Sequence, residues 1–214
     1  MELIVESPIF VAGLGRCGSS LVMQMLHAAE IPCCGEFPAF EPREVGEGRD
    51  LSKLLAIPAA MKMLDPHHDE WPESFGARII WLDRDVREQA KSQIKFIRHV
   101  AELAVPSQAW RKIAQALRSD RIKCREWWER AATEPMILRF EDILDEPLLA
   151  ARRIAEFLAI PDTRVPLMAE CVLRRDAKCR PDMQIEMALM SALSVSERYG
   201  VSTMMAARRL MEAR

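Results

Sequence analysis

Four short apolar runs recur along the first two thirds of the chain, each about five residues long. They cover residues Ile9–Gly13, Ala60–Leu64, Arg78–Leu82 and Met136–Phe140. Each run is rich in bulky or β-branched side chains and is bounded by Gly, Pro or Asp, which is typical of strands buried on both faces of a parallel sheet. The pattern therefore predicts four such strands.

Segments with the polar and apolar spacing of helices lie between and after these runs, and several end beside a proline. They cover residues Ser19–Ala29, Val86–Ala104, Ser107–Ala132 and Pro147–Leu158. Strands that alternate with helices imply crossover connections. We therefore predict an α/β fold with an open, largely parallel sheet of four to five strands and helices on both faces.

Two regions lack this alternation. Residues 33–58 have mixed polarity and no clear period, which predicts a loop or lid with one short helix. The sequence after Pro181 is rich in Met and Ala at helical spacing, which predicts a helical tail. The chain is accordingly divided into an α/β domain over residues 1–165 and a helical C-terminal extension of the same domain over residues 166–214.

Composition excludes several classes of protein. Half of the 214 residues are hydrophobic, 29% are charged and the formal net charge is −2, which argues against disorder and against a polycation that coats nucleic acid. No stretch approaches the roughly 20 apolar residues of a membrane helix, and the first residues are acidic where a secretory signal would be basic. A soluble, cytoplasmic protein without a nucleic-acid or membrane partner is expected.

The cysteines and histidines do not indicate a metal site. Cys33 and Cys34 are adjacent, the other four cysteines are scattered, and no CxxC pair is present. The four histidines show no recurrent ligand spacing. We therefore expect reduced thiols and no bound metal.

A glycine-rich turn, residues Gly13–Ser20, follows the first predicted strand and precedes the first predicted helix. Open α/β sheets bind ligands at the carboxyl ends of their strands. A turn of this kind presents backbone N–H groups and the positive end of a helix dipole, and both suit a phosphate or sulfate group. The turn is therefore a candidate anion site.

Three interpretations of this turn remain open on spacing alone. As GxGxxG it would bind a dinucleotide, with Glu36 near the position of the required acid, but a proline and a glycine interrupt the segment before Glu36. As GxxxxGSS it has the spacing of a nucleoside-triphosphate loop, except that Ser19 occupies the position of the lysine. The glycines could also serve only to let a helix and a strand pack closely.

The segment Arg16-Cys17-Gly18-Ser19-Ser20 resembles the Lys/Arg-Ser-Gly-Thr/Ser-Thr/Ser loop of the sulfotransferases. In that family the loop holds the 5′-phosphosulfate of 3′-phosphoadenosine 5′-phosphosulfate (PAPS). The resemblance implies that the donor is bound by residues of the turn, namely Gly15, Arg16, Cys17, Gly18, Ser19 and Ser20. It also implies that Arg16 neutralises charge during the transfer.

A second segment resembles the same family. Arg84 follows the third predicted strand and Ser92 lies eight residues later on the next helix. In sulfotransferases such a pair grips the 3′-phosphate of the nucleotide. Eight helical residues span about 12 Å, so the two groups can meet one anion only if Arg84 lies in the loop and reaches back along the helix. Alternatively, both are unrelated surface residues of a highly charged helix.

A third likeness lies in residues 138–147, followed by Phe157 and Leu158, which are similar to the segment that closes the sheet in bacterial sulfotransferases. The resemblance extends from Ile9 to Ile160. It implies a P-loop-type fold and a PAPS-dependent sulfotransferase that moves a sulfuryl group in line, without a metal, to a hydroxyl or amine. Another P-loop nucleotide-dependent transferase or kinase, or a degenerate family member that only binds, remains an alternative.

The acceptor side of the reaction needs a base for the acceptor proton. The resemblance implies a glutamate after the first helix, here Glu41 or Glu36, or else a histidine after the second strand, here His67 or His68. The order of preference is Glu41, then Glu36, then His67. Lys62 lies within the second strand, where a charge must be paired or face a cleft. Alternatively, the two glutamates only belong to a solvated acidic loop, and the histidine only to an exposed turn. The acceptor is expected to be a small molecule, and a homodimer is left open.

Overall fold

The computed structural model of the chain describes residues 6–41, 51–100, 106–173 and 178. Its centre is a four-stranded sheet in the order β2-β1-β3-β4, in which all neighbouring strands are parallel. The strands are β1 (Ile9–Gly13), β2 (Ala60–Leu64), β3 (Arg78–Asp83) and β4 (Met136–Arg139). The predicted fold class is confirmed, and a strand lies at each of the four predicted places. The expectation that all four are buried on both faces is wrong for β4, an edge strand in which Ile137 and Arg139 are exposed. The fourth strand ends one residue early because Phe140 begins a helix.

Seven α-helices lie within the described residues. They are α1 (Ser19–Ala28), α2 (Leu51–Leu55), α3 (Val86–Val100), α4 (Trp110–Trp128), α5 (Phe140–Asp145), α6 (Pro147–Leu158) and α7 (Val165–Glu170). Short 3₁₀ turns cover Pro66–His68, Ser107–Ala109 and Asp162–Arg164. The four predicted helices correspond to α1, α3, α4 and α6, and α2 is the short helix expected within residues 33–58.

The helix predicted over residues 107–132 is shorter at both ends. It begins with a 3₁₀ turn, and α4 ends at Trp128. At its C-terminal end the backbone N–H of Phe75 donates to the Arg130 carbonyl, and the N–H of Ala132 donates to the Phe75 carbonyl. This long-range pairing draws the chain out of the helix, so the helical spacing overestimates its length.

Alternation along the strands separates two layers of core. In β1, Ile9 and Val11 face a cluster built with α1, α6 and α7, whereas Phe10 and Ala12 face a cluster built with α3 and α4. Successive side chains of a strand point to opposite faces. Helices therefore cover both faces of the sheet at β1, β2 and β3, which explains why these strands are almost entirely buried.

Strands β2, β1 and β3 end at the same edge of the sheet. Gly13 at the end of β1 lies in register with Leu64 of β2 and Leu82 of β3. The segments that follow these strands therefore meet above the same edge, and these are the segments that contain the candidate site residues.

Several predicted features lie outside the described residues: the helical tail after Pro181, the end of the helix predicted over Val86–Ala104 at residues 101–104, and part of the predicted loop at residues 42–50. Val165, the last residue of the predicted α/β domain, and Met168, in the predicted C-terminal extension, both lie in α7 and are buried in the same cluster as α1 and α6. In the part of the chain that is described, no helix has the length and apolar character needed to cross a membrane.

Candidate active site

The turn between β1 and α1 opens the N-terminus of α1 toward the sheet edge. Gly18, at the N-cap, has φ 107°, and its carbonyl accepts hydrogen bonds from the N–H groups of Leu21 and Val22 at 3.0 and 3.4 Å. No described side chain caps this end, and the first turn of α1 contains no acidic residue. The N–H groups of the first helical turn and the helix dipole therefore favour an anion here.

Two glycines of the turn are required by close approaches. A Cβ atom at Gly13 would lie 2.7 Å from Cys17 Sγ and 2.9 Å from the Leu82 carbonyl oxygen. A Cβ atom at Gly18 would lie 2.5 Å from Cδ2 of Phe140. The interpretation that the glycines allow close packing therefore holds at these two positions, alongside any role in binding.

The residues of the two separated motifs contact each other on the α3 side of the turn. Arg16 Nε donates to Ser92 Oγ at 3.3 Å, and Arg84 Nη1 donates to the Arg16 carbonyl at 3.0 Å. Arg84 and Ser92 are only 7% and 2% exposed, so neither is a surface residue. Arg84 precedes α3 and reaches the turn from the loop, as the eight-residue spacing requires.

Aromatic rings flank both arginines. The Arg84 guanidinium lies 4.4 Å from the centroid of the Phe140 ring, and the Arg16 guanidinium lies 5.2 Å from that of Phe96. Cation–π contacts of this kind fix the plane of a guanidinium group. Phe140 also packs against Gly18, so one ring supports both the turn and Arg84.

The β2 side of the turn contains an ion pair. Lys62 lies between Met61 and Met63 in β2 and is in register with Val11, so its side chain points to the α1 face. Lys62 Nζ lies 2.8 Å from Ser20 Oγ and 2.6 Å from Glu41 Oε1. The Lys62 side chain is 2% exposed and that of Glu41 is 62% exposed, so the carboxylate joins a buried ammonium to solvent.

The other two base candidates have different surroundings. Glu36 is exposed, and its carbonyl accepts a hydrogen bond from the N–H of Phe40 at 2.7 Å. His67 contacts α4, where Nδ1 lies 3.2 Å from Cys124 Sγ and Nε2 lies 3.5 Å from Asp120 Oδ1. Glu41, by contrast, is hydrogen-bonded to Lys62.

Three residues that the sequence analysis did not single out hold the turn. Gln89 Nε2 donates to the carbonyls of Leu14 and Gly15, both at 3.0 Å, and Gln93 Nε2 donates to the Gly15 carbonyl at 3.1 Å. Asp65 Oδ1 accepts from the Gly15 N–H at 3.3 Å. Asp65 follows β2 directly, and the two glutamines lie four residues apart beside Ser92, so strand-end position and helical spacing could have identified them.

Burial reinforces the neutral form of the thiol in the turn. Desolvation raises the pKa of Cys17 to about 11, although the backbone N–H of Ser19 opposes this shift. Cys17 is therefore a neutral thiol at pH 7 and does not repel an anion. Burial also raises the pKa of Asp65, against the Gly15 N–H and the charges of His67 and His68.

The arrangement combines two kinds of chemistry at one turn. On the α3 side, two guanidinium groups, a hydroxyl and a helix N-terminus can hold an anionic ligand. On the β2 side, an exposed carboxylate lies next to an ammonium group and can accept a proton from a nearby hydroxyl. The described residues contain no group of three or more His, Cys, Asp or Glu side chains suited to a metal ion.

Comparisons with known proteins give a family match. A family model described as "Sulfotransferase domain" matches residues 6–175. A crystal structure of a sulfotransferase from Alicyclobacillus acidocaldarius is similar over 84% of this chain and 89% of that chain, with 13% sequence identity and a TM-score of 0.48. No curated protein matches this sequence.

Proposed function

This chain belongs to the sulfotransferase domain family, and we propose that it moves a sulfuryl group in line from PAPS to a hydroxyl or amine of a small-molecule acceptor. The donor provides a sulfuryl group joined to a phosphate, which is the leaving group of the reaction. The protein's part is then to hold the anionic ends, neutralise charge and accept a proton.

One observation carries this proposal. Arg16 of the turn is hydrogen-bonded to Ser92 and, through its carbonyl, to Arg84. PAPS is anionic at both its 5′ and 3′ ends, so a site for it needs cations from two separated segments close together. The contacts between Arg16, Ser92 and Arg84 meet that requirement, and they would be absent if Arg84 lay on another face of the protein.

The residues present fit the donor. The uncapped N-terminus of α1, the hydroxyls of Ser19 and Ser20 and the Arg16 guanidinium would hold the 5′-phosphosulfate. Gly15, Cys17 and Gly18 would contribute backbone to the same part of the turn, and Cys17 brings no negative charge to it at pH 7. Arg84 and Ser92 would hold the 3′-phosphate.

We assign the proton transfer to Glu41. Its carboxylate is exposed to solvent and is fixed by Lys62, whose ammonium also contacts Ser20 in the turn. Lys62 thereby ties the base to the segment that would hold the sulfuryl group. The Arg16 guanidinium lies in that segment and would stabilise the charge that develops as the sulfuryl group is transferred.

Nucleotide-dependent stabilisation tests this assignment. At 100 times its dissociation constant, adenosine 3′,5′-bisphosphate should stabilise the fold by about 2.7 kcal/mol, which raises the melting temperature by roughly 5–10 °C at this chain length. ATP and NADH should raise it much less. Equal shifts with ATP would favour another nucleotide-dependent transferase, and a larger shift with NADH would favour a dinucleotide site.

A further inference from the structure

Arg121, in the middle of α4, lies beside the turn that joins β3 to α3. Its Nη2 atom lies 2.9 Å from Asp83 Oδ1 and 3.1 Å from Gln89 Oε1, and it also donates to the Arg84 carbonyl. Asp83 and Gln89 flank Arg84 in the sequence. One guanidinium group therefore bonds Arg84 and residues on either side of it.

The contact with Gln89 determines which end of that amide faces the donor site. An arginine can only donate hydrogen bonds, so the Gln89 carbonyl oxygen must face Arg121. The amide nitrogen then faces the carbonyls of Leu14 and Gly15, to which it donates. Gln89 is 1% exposed, so no solvent competes for this orientation.

The contact with the Arg84 carbonyl fixes the backbone from which the Arg84 side chain extends. That side chain reaches the Arg16 carbonyl and lies over the Phe140 ring. The next residue, Asp85, donates its N–H to Glu141 Oε1 at 2.9 Å, which holds the same turn from the α5 side. A guanidinium on a fixed backbone loses less freedom when it binds an anion.

We propose that Arg121 is a positioning residue for the 3′-phosphate, which it holds in place through Arg84 without touching the nucleotide. This proposal rests on the proposed function, because it takes Arg84 as the group that binds the 3′-phosphate. The proposal means that α4 supports the donor site from outside, although α4 does not come directly after any of the strands whose ends form that site.

The experiment compares the affinity for adenosine 3′,5′-bisphosphate with the affinity for adenosine 5′-monophosphate by calorimetry. The dissociation constant of adenosine 5′-monophosphate divided by that of adenosine 3′,5′-bisphosphate reports the contribution of the 3′-phosphate. Arg121→Met should lower this ratio roughly tenfold, the size of effect seen when a supporting partner of a binding group is removed. Arg121→Lys, whose ammonium can also donate several hydrogen bonds, should keep a ratio at least about threefold above that of Arg121→Met.

Arg118→Met is the matched control, because Arg118 lies one turn earlier on α4 and is exposed. It should keep the wild-type ratio. A purely structural role for Arg121 would lower the melting temperature and leave the ratio unchanged, and that result overturns the proposal. The proposal is also overturned if Arg118→Met lowers the ratio as much as Arg121→Met does, or if the ratio of Arg121→Lys is as low as that of Arg121→Met. If the wild type itself does not distinguish the two nucleotides, it is the proposed function that fails.

Discussion

The two sides of the turn after β1 differ in what their cations contact. On the α3 side, the half-buried Arg16 donates to the hydroxyl of the buried Ser92, and the buried Arg84 donates to a backbone carbonyl. On the β2 side, Lys62 pairs with the carboxylate of Glu41, which is largely exposed. The comparison suggests a division of work in which the α3 side binds the nucleotide and the β2 side serves proton transfer.

The largest expected effect concerns the β2 side. Glu41→Gln keeps an acceptor for Lys62 but removes the base, and turnover should fall by roughly 10² to 10⁴. The dissociation constant of adenosine 3′,5′-bisphosphate should change by less than about threefold, because Glu41 bonds Lys62 and is not among the groups proposed to hold the nucleotide. Turnover can be measured with labelled sulfuryl donor and pooled hydroxylated metabolites.

Glu36→Gln is the control for this prediction. Glu36 lies on the same loop, is exposed, and has the same chemistry. Its substitution should leave turnover close to wild type. If Glu36→Gln abolishes turnover and Glu41→Gln does not, the contact between Lys62 and Glu41 is structural and the base has been assigned to the wrong glutamate.

The next effect concerns the α3 side. Arg84→Ala removes a charge-assisted hydrogen bond of about 1.5–3 kcal/mol, so the preference for adenosine 3′,5′-bisphosphate over adenosine 5′-monophosphate should fall by roughly 10- to 150-fold. Calorimetric titration measures both affinities. Arg87→Ala is the control, since Arg87 is exposed on α3 and lies over the Trp110 ring. If Arg84→Ala keeps the wild-type preference, Arg84 does not bind the 3′-phosphate and the α3 side is not its site.

The strands could be predicted from sequence because their signal is local. A run of apolar residues between Gly, Pro or Asp identifies a strand buried on both faces, and the start and end of β1 and β2 agree with the runs. The end of α4 could not be predicted. The residues after Trp128, which the spacing assigns to the helix, instead pair with Phe75, more than fifty residues away in the chain. Helical spacing contains no information about that strand-like bridge.

The candidate site also depends on contacts between separated segments, which local sequence patterns do not reveal. Arg16, Arg84 and Ser92 could be selected from motifs, but their contact depends on β1 and β3 being neighbours in the sheet. Arg121 gave no signal, because it lies in the middle of a helix rich in exposed charges and reaches the turn only through the packing of α4 against α3. Residues that act through tertiary packing have no motif to reveal them.

The turn itself offers a smaller test of how the two sides are joined. In Gly18→Ala, a methyl group would be placed at φ 107° and 2.5 Å from Phe140, the ring that supports Arg84. The variant should lose about 1–3 kcal/mol of unfolding free energy. Gly76→Ala is the control, since a Cβ there meets nothing within 4 Å. If Gly18→Ala is as stable as wild type but binds nucleotide weakly, Gly18 serves the ligand more than the packing.

The smallest effect concerns His67, the base candidate that contacts α4. Burial and the charge of His68 lower the pKa of His67, against the attraction of Asp120 and Asp65. The unfolded chain therefore binds a proton first as the pH falls below about 6.5, and folding stability should decline there. The melting temperature of His67→Gln should fall less between pH 7.5 and 5.5 than that of the wild type, and an equal fall in the two proteins would contradict this prediction. A loss of turnover as large as that expected for Glu41→Gln would instead make His67 the base and end the division between the two sides.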